Sequence, residues 1–119
     1  MRLLVCGGRG YADRVRFYSI LDELHDQNGF DTVICGGAPG ADTLAIEWAH
    51  DRDLPAMVIK AEWKKLGHAA GPIRNQRMLD EGNPCLVVAF PGERVTADMV
   101  RRAHAAGVPV HEFSEGEAK

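Results

Sequence analysis

The chain has 119 residues, with an apolar fraction of 45% and a charged fraction of 26%, values ordinary for a soluble globular domain able to bury a core. A net charge of −3 and a pI near 5.9 exclude a global positive field of the kind that draws in nucleic acid. No apolar run approaches the ~20 residues that cross a bilayer, so no membrane partner is expected. Local basic patches remain around Arg74 and Arg77, and at Arg101 and Arg102.

Arg2–Cys6, rich in Leu and Val, predicts a buried strand, and Gly7-Gly8-Arg9-Gly10 follows it as a tight turn. Asp13–Gln27 predicts a helix, because Phe17, Ile20, Leu21 and Leu24 fall on one face; Asn28-Gly29 ends it. Asp31–Cys35 is the second strand, closed by Gly36-Gly37-Ala38-Pro39-Gly40. The second helix, Ala41–Asp51, repeats the apolar spacing with Ala41, Leu44, Ala45 and Trp48. Pro55–Lys60 reads as a strand near the sheet edge, and Ala61–Ala69 as a loop carrying Trp63 and Gly67.

Ala70–Glu81 predicts a third helix with Pro72 in its first turn. Its apolar stripe is weak, since Arg74-Asn75-Gln76-Arg77 occupies the middle and Met78 and Leu79 supply most of the packing. Cys85–Phe90 is the fourth and most apolar strand, followed by Pro91-Gly92. Thr96–Ala106 is the fourth helix, with Thr96 as its N-cap and Gly107 as its stop. Val108–Phe113 is the last strand, and 114–119 forms a polar tail.

Five strands alternating with four helices predict an α/β, doubly wound parallel sheet. Right-handed crossovers put helices on both faces, giving three layers in one domain over residues 1–113. The expected strand order is 3-2-1-4-5. The chain then reverses between strands 1 and 4, and a crevice opens there beside Gly7–Gly10 and Pro91–Thr96.

All three glycine-bearing turns follow apolar runs and precede helices, so in a parallel sheet they share one rim. Backbone N–H groups and helix N-termini then face a common crevice suited to a phosphate-bearing small molecule. Gly7 and Gly8 allow close backbone approach, and Arg9 either clamps an anion or faces solvent. Gly36, Gly37, Ala38 and Gly40 leave room for a ligand. Asp42 either accepts hydrogen bonds from ribose hydroxyls or complements the helix dipole. Arg74 beside Asn75 either binds a phosphate or lies on a solvated helix face. Pro91, Gly92 and Thr96 present a further helix N-terminus. Glu93 and Asp98 are the nearby carboxylates for any general base. Trp63 either stacks on a base or anchors its loop.

Cys6, Cys35 and Cys85 lie in or beside apolar runs, and their odd number argues against a disulfide framework. The five histidines share no metal-ligand spacing with them, so neither metal nor cofactor is expected. A strand at the very start leaves no room for a signal peptide, and a cytoplasmic location is expected.

From about Arg2 to Val110 the chain resembles the YspA-like, YpsA-related branch of the SLOG superfamily. That superfamily is Rossmann-like and includes the Lonely Guy phosphoribohydrolases and DprA. The resemblance rests on Gly7-Gly8-Arg9, on Gly36-Gly37-Ala38-Pro39-Gly40-Ala41-Asp42, on Trp63 and Gly67, and on Ala70-Gly71-Pro72-Ile73-Arg74-Asn75 with Met78. It continues through Phe90-Pro91-Gly92, Thr96-Ala97-Asp98-Met99 and Ala106-Gly107-Val108-Pro109-Val110. It implies a pocket for a nucleotide or nucleotide-derived ligand, ADP-ribose-like, lined by Gly8, Arg9, Gly37, Asp42, Arg74, Asn75, Gly92 and Thr96, and a homodimer. The related hydrolases carry P-G-G-x-G-T-x-x-E. Here Glu93 and Val95 replace glycines and Met99 stands where the carboxylate belongs. The resemblance therefore implies a sensor or carrier. A nucleotide N-glycosidase is the alternative, with Asp98 as its candidate substitute carboxylate.

Overall fold

A computed structural model describes residues 1–114; of the polar tail expected at 114–119, all but Ser114 lies outside the described residues. The strands are β1 (Arg2–Cys6), β2 (Thr32–Cys35), β3 (Ala56–Val58), β4 (Leu86–Ala89) and β5 (Val110–Glu112). They form one parallel sheet in the order β3-β2-β1-β4-β5, as expected. In its register Leu3 lies between Val33 and Leu86, and Leu4 between Ile34 and Val87. The central strands are apolar without alternation because helices cover both faces.

The helices are α1 (Arg14–Asn28), α2 (Ala41–Asp51), α3 (Trp63–Leu66), α4 (Ala70–Gly82) and α5 (Arg94–Ala105), with a 3₁₀ turn at Gly67–Ala69. Side chains alternate across each strand, so every central strand feeds two cores. On one face Leu3, Val5, Val33, Cys35 and Val88 pack against Phe17 and Leu21 of α1 and Ala45 and Trp48 of α2. On the other face Leu4, Cys6, Ile34, Val87 and Ala89 pack against Met78 and Leu79 of α4 and Met99 and Ala103 of α5. The result is the three-layer arrangement.

Four local expectations change. Helix α5 begins at Arg94, so Thr96 is its third residue; Glu93 is the N-cap and its side chain makes no cap bond. The segment read as a loop at 61–69 holds the single turn α3, because Glu62 C=O accepts from the N–H groups of both Lys65 (3.1 Å) and Leu66 (2.8 Å). Helix α4 runs to Gly82, and Asn83 closes it in the left-handed region with its N–H on Leu79 C=O at 3.1 Å. The edge strands are shorter than expected, although Pro55 and Ile59 still bond to β2 at either end of β3.

Helices α1 and α2 are tied by Asp22, whose carboxylate accepts from Trp48 Nε1 at 2.9 Å and from Arg52 Nε and Nη2, both at 2.8 Å. Arg52, and then Trp48, hold the Asp22 carboxyl below its ordinary 3.8 despite partial burial. A depressed acid stabilises the fold above its unfolded value, and that stabilisation is lost as pH falls through the folded value. Urea denaturation is therefore expected to show stability falling from about pH 4 downward, with a shallower slope in Asp22→Asn. Equal slopes would remove Asp22 from the acid transition.

Candidate functional site

Three loops meet above the C-terminal ends of β1 and β4. The Gly8 N–H donates to Pro91 C=O at 2.8 Å, and the Ala41 N–H donates to Gly8 C=O at 3.1 Å. One glycine thus joins the β1–α1, β2–α2 and β4–α5 connections. A cleft of about 980 Å³ opens over this junction. Of the expected residues, Gly7, Gly8, Arg9, Ala38, Asp42, Arg74, Asn75, Pro91, Gly92 and Thr96 line it.

Gly36, Gly37, Gly40 and Asp98 are not among the lining residues. Gly36 lies where the Arg74 guanidinium sits: a Cβ there would fall 2.0 Å from Arg74 Nη1. A Cβ on Gly37 would meet Val58 and Lys60, beside β3. Gly40 has φ +81°, and a Cβ there would fall 2.2 Å from Gly8 O and 2.5 Å from Arg9 O. Its absent side chain lets two loops touch backbone to backbone.

Arg74 is the central side chain. It is 6% exposed, yet no carboxylate lies within 4.0 Å of it among the described residues. Its Nη1 donates to Gly36 C=O at 2.9 Å and its Nε to Asn75 Oδ1 at 3.3 Å. Burial lowers its pKa, and the charge of Asp42 opposes that shift. A buried cation without an ion pair is costly and attracts an anion.

Helix α5 offers the complementary feature. Its first turn closes with Ala97 N–H on Glu93 C=O at 2.9 Å. The N–H groups of Arg94, Val95 and Thr96 have no acceptor among the described residues, and these residues border the cleft. Open N–H groups at the positive end of a helix suit an anion. Helix α2 is different: Ala41 N–H is engaged by Gly8, and Asp42 Oδ2 accepts from Ala38 N–H at 3.1 Å. Asp42 therefore closes its own turn. Burial raises its carboxyl pKa against that hydrogen bond and the charge of Arg74.

Asn75 and Asp98 serve the scaffold. Asn75 Nδ2 donates to Val95 C=O at 2.9 Å and to Asp98 Oδ2 at 3.1 Å, joining α4 to α5. Asp98 also accepts from Arg102 Nε at 2.8 Å and Arg101 Nη2 at 3.1 Å. Burial pushes its carboxyl up, but Arg102, Asn75 and Arg101 outweigh burial and hold it below the ordinary carboxylate range. Asp98→Ala is expected to lower stability by about 1.5–3 kcal/mol in urea titrations, while weakening ligand binding far less than loss of Arg74 does. A large binding defect at unchanged stability would reverse that assignment.

Sequence reasoning passed over Tyr11, His68 and Met78, which also line the cleft. Tyr11 follows the first glycine turn, and its hydroxyl is buried. His68 sits in the unrecognised 3₁₀ turn, and Met78 looked like ordinary core. Arg9 and Trp63 face each other across the mouth, with the guanidinium carbon 6.0 Å from the indole centroid.

The sheet order and the cleft across β1 and β4 make this a Rossmann-like α/β domain. The fold is shared with MurG of Acinetobacter baumannii, at 16% identity and TM-score 0.59 over 93% of this chain. It is also shared with UDP-GlcNAc 2-epimerase of Neisseria meningitidis, solved bound to UDP-GlcNAc, at 16% identity and TM-score 0.57 over 95% of this chain. The chain spans 34% and 32% of those two proteins, about a third of each. The family model YAcAr, "YspA, cpYpsA-related SLOG family", matches residues 1–66. Gene 61 protein of Mycobacterium phage D29 is 37% identical over 123 residues, covering 96% of this chain and 97% of that protein. The chain belongs to the YspA, cpYpsA-related SLOG family. Among the described residues no helix is long and apolar enough to cross a membrane.

Proposed function

We propose that residues 1–113 form a binding module for a nucleotide or nucleotide-derived ligand, ADP-ribose-like, acting as a sensor or carrier. The observation that carries this reading is Arg74, a buried cation without a carboxylate partner among the described residues, beside an uncapped helix N-terminus on the same cleft. A phosphate at that point would accept from Arg74 and from the open N–H groups of α5. Arg9 and Arg94, which also line the cleft, favour an anion electrostatically. The family and the Rossmann-like fold are compatible with ligand binding. Free Cys6, Cys35 and Cys85 fit a reducing cytoplasm. A homodimer belongs to the same proposal, and light scattering tests it.

Hydrolysis needs a proton donor or acceptor at the reacting bond. Met99 is buried in the core, and Asp98 is engaged by two arginines and an asparagine. Titration calorimetry with ADP-ribose, AMP and UDP-GlcNAc is expected to give saturable binding to at least one. Chromatography of the same mixtures is expected to recover the nucleotide intact. No heat with any of them would overturn the reading, and release of free base would replace it with the N-glycosidase.

A further inference from the structure

Trp63 is an expensive residue to leave in water, yet it is 41% exposed. The other tryptophan, Trp48, is fully buried with its Nε1 bonded to Asp22. Trp63 stands on α3, a turn of four residues with no buried member and no side-chain cap. Its ring edge rests on the first turn of α4, where a Cβ on Gly71 would fall 3.3 Å from Trp63 Cη2. The indole therefore borders the cleft instead of filling a core.

The opposite side of the mouth carries Arg9, from the β1–α1 loop. Its guanidinium carbon lies 6.0 Å from the Trp63 centroid, at the outer limit of a cation–π contact. A flat ring held between two planes needs two van der Waals spacings, about 7 Å in all. Arg9 is exposed and has no ion pair among the described residues, so it can yield the missing ångström. Phosphate recognition at Arg74 and α5 makes no use of an aromatic face. Trp63 is a feature that recognition of phosphate leaves unexplained.

We propose that Trp63 and Arg9 clamp the nucleobase of the ligand, so that the site selects a nucleotide over a bare sugar phosphate. This deepens the proposed function and rests on it. Stacking of a base on an aromatic side chain contributes about 1–3 kcal/mol by alanine substitution, or roughly 5- to 150-fold in affinity. Every base has a flat face, so the clamp fixes the chemical class of the ligand and not the identity of its base.

The test compares AMP with ribose 5-phosphate on wild type, Trp63→Leu, Trp63→Phe and Arg74→Met, by calorimetry and tryptophan fluorescence. AMP is expected to bind wild type at least about 5-fold more tightly than ribose 5-phosphate and to quench fluorescence. Because Trp48 is buried, Trp63 is the ring that responds. Trp63→Leu is expected to abolish the preference while leaving ribose 5-phosphate binding unchanged, and Trp63→Phe to restore most of it. Equal binding of both compounds to wild type, or an unchanged preference in Trp63→Leu, overturns the clamp and leaves the phosphate site standing. Equal loss of both compounds in Trp63→Leu and Trp63→Phe also overturns it, making Trp63 a support for α3. Failure of both compounds to bind wild type overturns the clamp, and binding indifferent to Arg74→Met overturns the phosphate site on which the clamp rests.

Discussion

Replacing Arg74 by methionine is expected to weaken nucleotide binding by about 1.5–3 kcal/mol, roughly 10- to 150-fold, as measured by calorimetry. Methionine keeps the apolar stem and removes only the charged head. The same substitution is expected to change stability by no more than about 1 kcal/mol, because relief of a buried charge offsets the lost bond to Gly36 C=O. These two expectations together separate function from scaffold. A purely structural arginine would give the reverse pattern, with unchanged affinity and a clear loss in urea titrations. That result would remove the observation on which the proposed function stands.

Gly40→Ala is expected to cost about 3 kcal/mol or more, the largest stability loss of any single methyl added to the site. Two penalties combine there. The backbone at φ +81° and ψ −124° strains any side chain, and the new Cβ would run into the carbonyl oxygens of Gly8 and Arg9. Those oxygens belong to backbone and cannot rotate away. Gly29 supplies the control: it has φ +70°, but nothing lies within 4 Å of its added Cβ. Gly29→Ala is therefore expected to cost only about 1–2 kcal/mol. Equal losses at the two positions in denaturant titrations would show that the close approach of the loops contributes nothing.

The sheet was legible because central parallel strands write themselves as unbroken apolar runs such as Leu3-Leu4-Val5-Cys6 and Leu86-Val87-Val88-Ala89. Helices α1 and α2 were legible for a related reason, since Phe17, Leu21, Ala45 and Trp48 mark a buried face by type alone. Helix α4 was harder. Its inward residues, Gly71, Arg74, Asn75, Met78, Leu79 and Gly82, keep helical spacing, but glycine and polar side chains occupy four of those six positions. A face turned toward a cleft loses the apolar signature that periodicity detects.

The start of α5 was misread because Thr96 is a favoured N-cap residue. The helix instead begins at Arg94 with no side-chain cap, leaving its first N–H groups open beside the cleft. Turn α3 was invisible because four residues are too few to show a period. Arg74 stands out in the sequence by its company; its burial and its lack of an ion pair among the described residues are properties of the fold. The Asp98 carboxylate was weighed as a base by its neighbourhood in the chain, and its three partners come from α4 and from the next turn of α5.

Gly8 offers both its N–H and its C=O to neighbouring loops, so the three loops at the base of the cleft meet through main-chain bonds. Main-chain bonds are indifferent to the side chains around them. If the proposed site holds its ligand as inferred, new preferences can arise by exchanging Arg9, Trp63 or Arg94 while the foundation keeps its shape. Such a layout separates evolvability from foldability: the side chains at the mouth are free to drift, and the glycines beneath them are not.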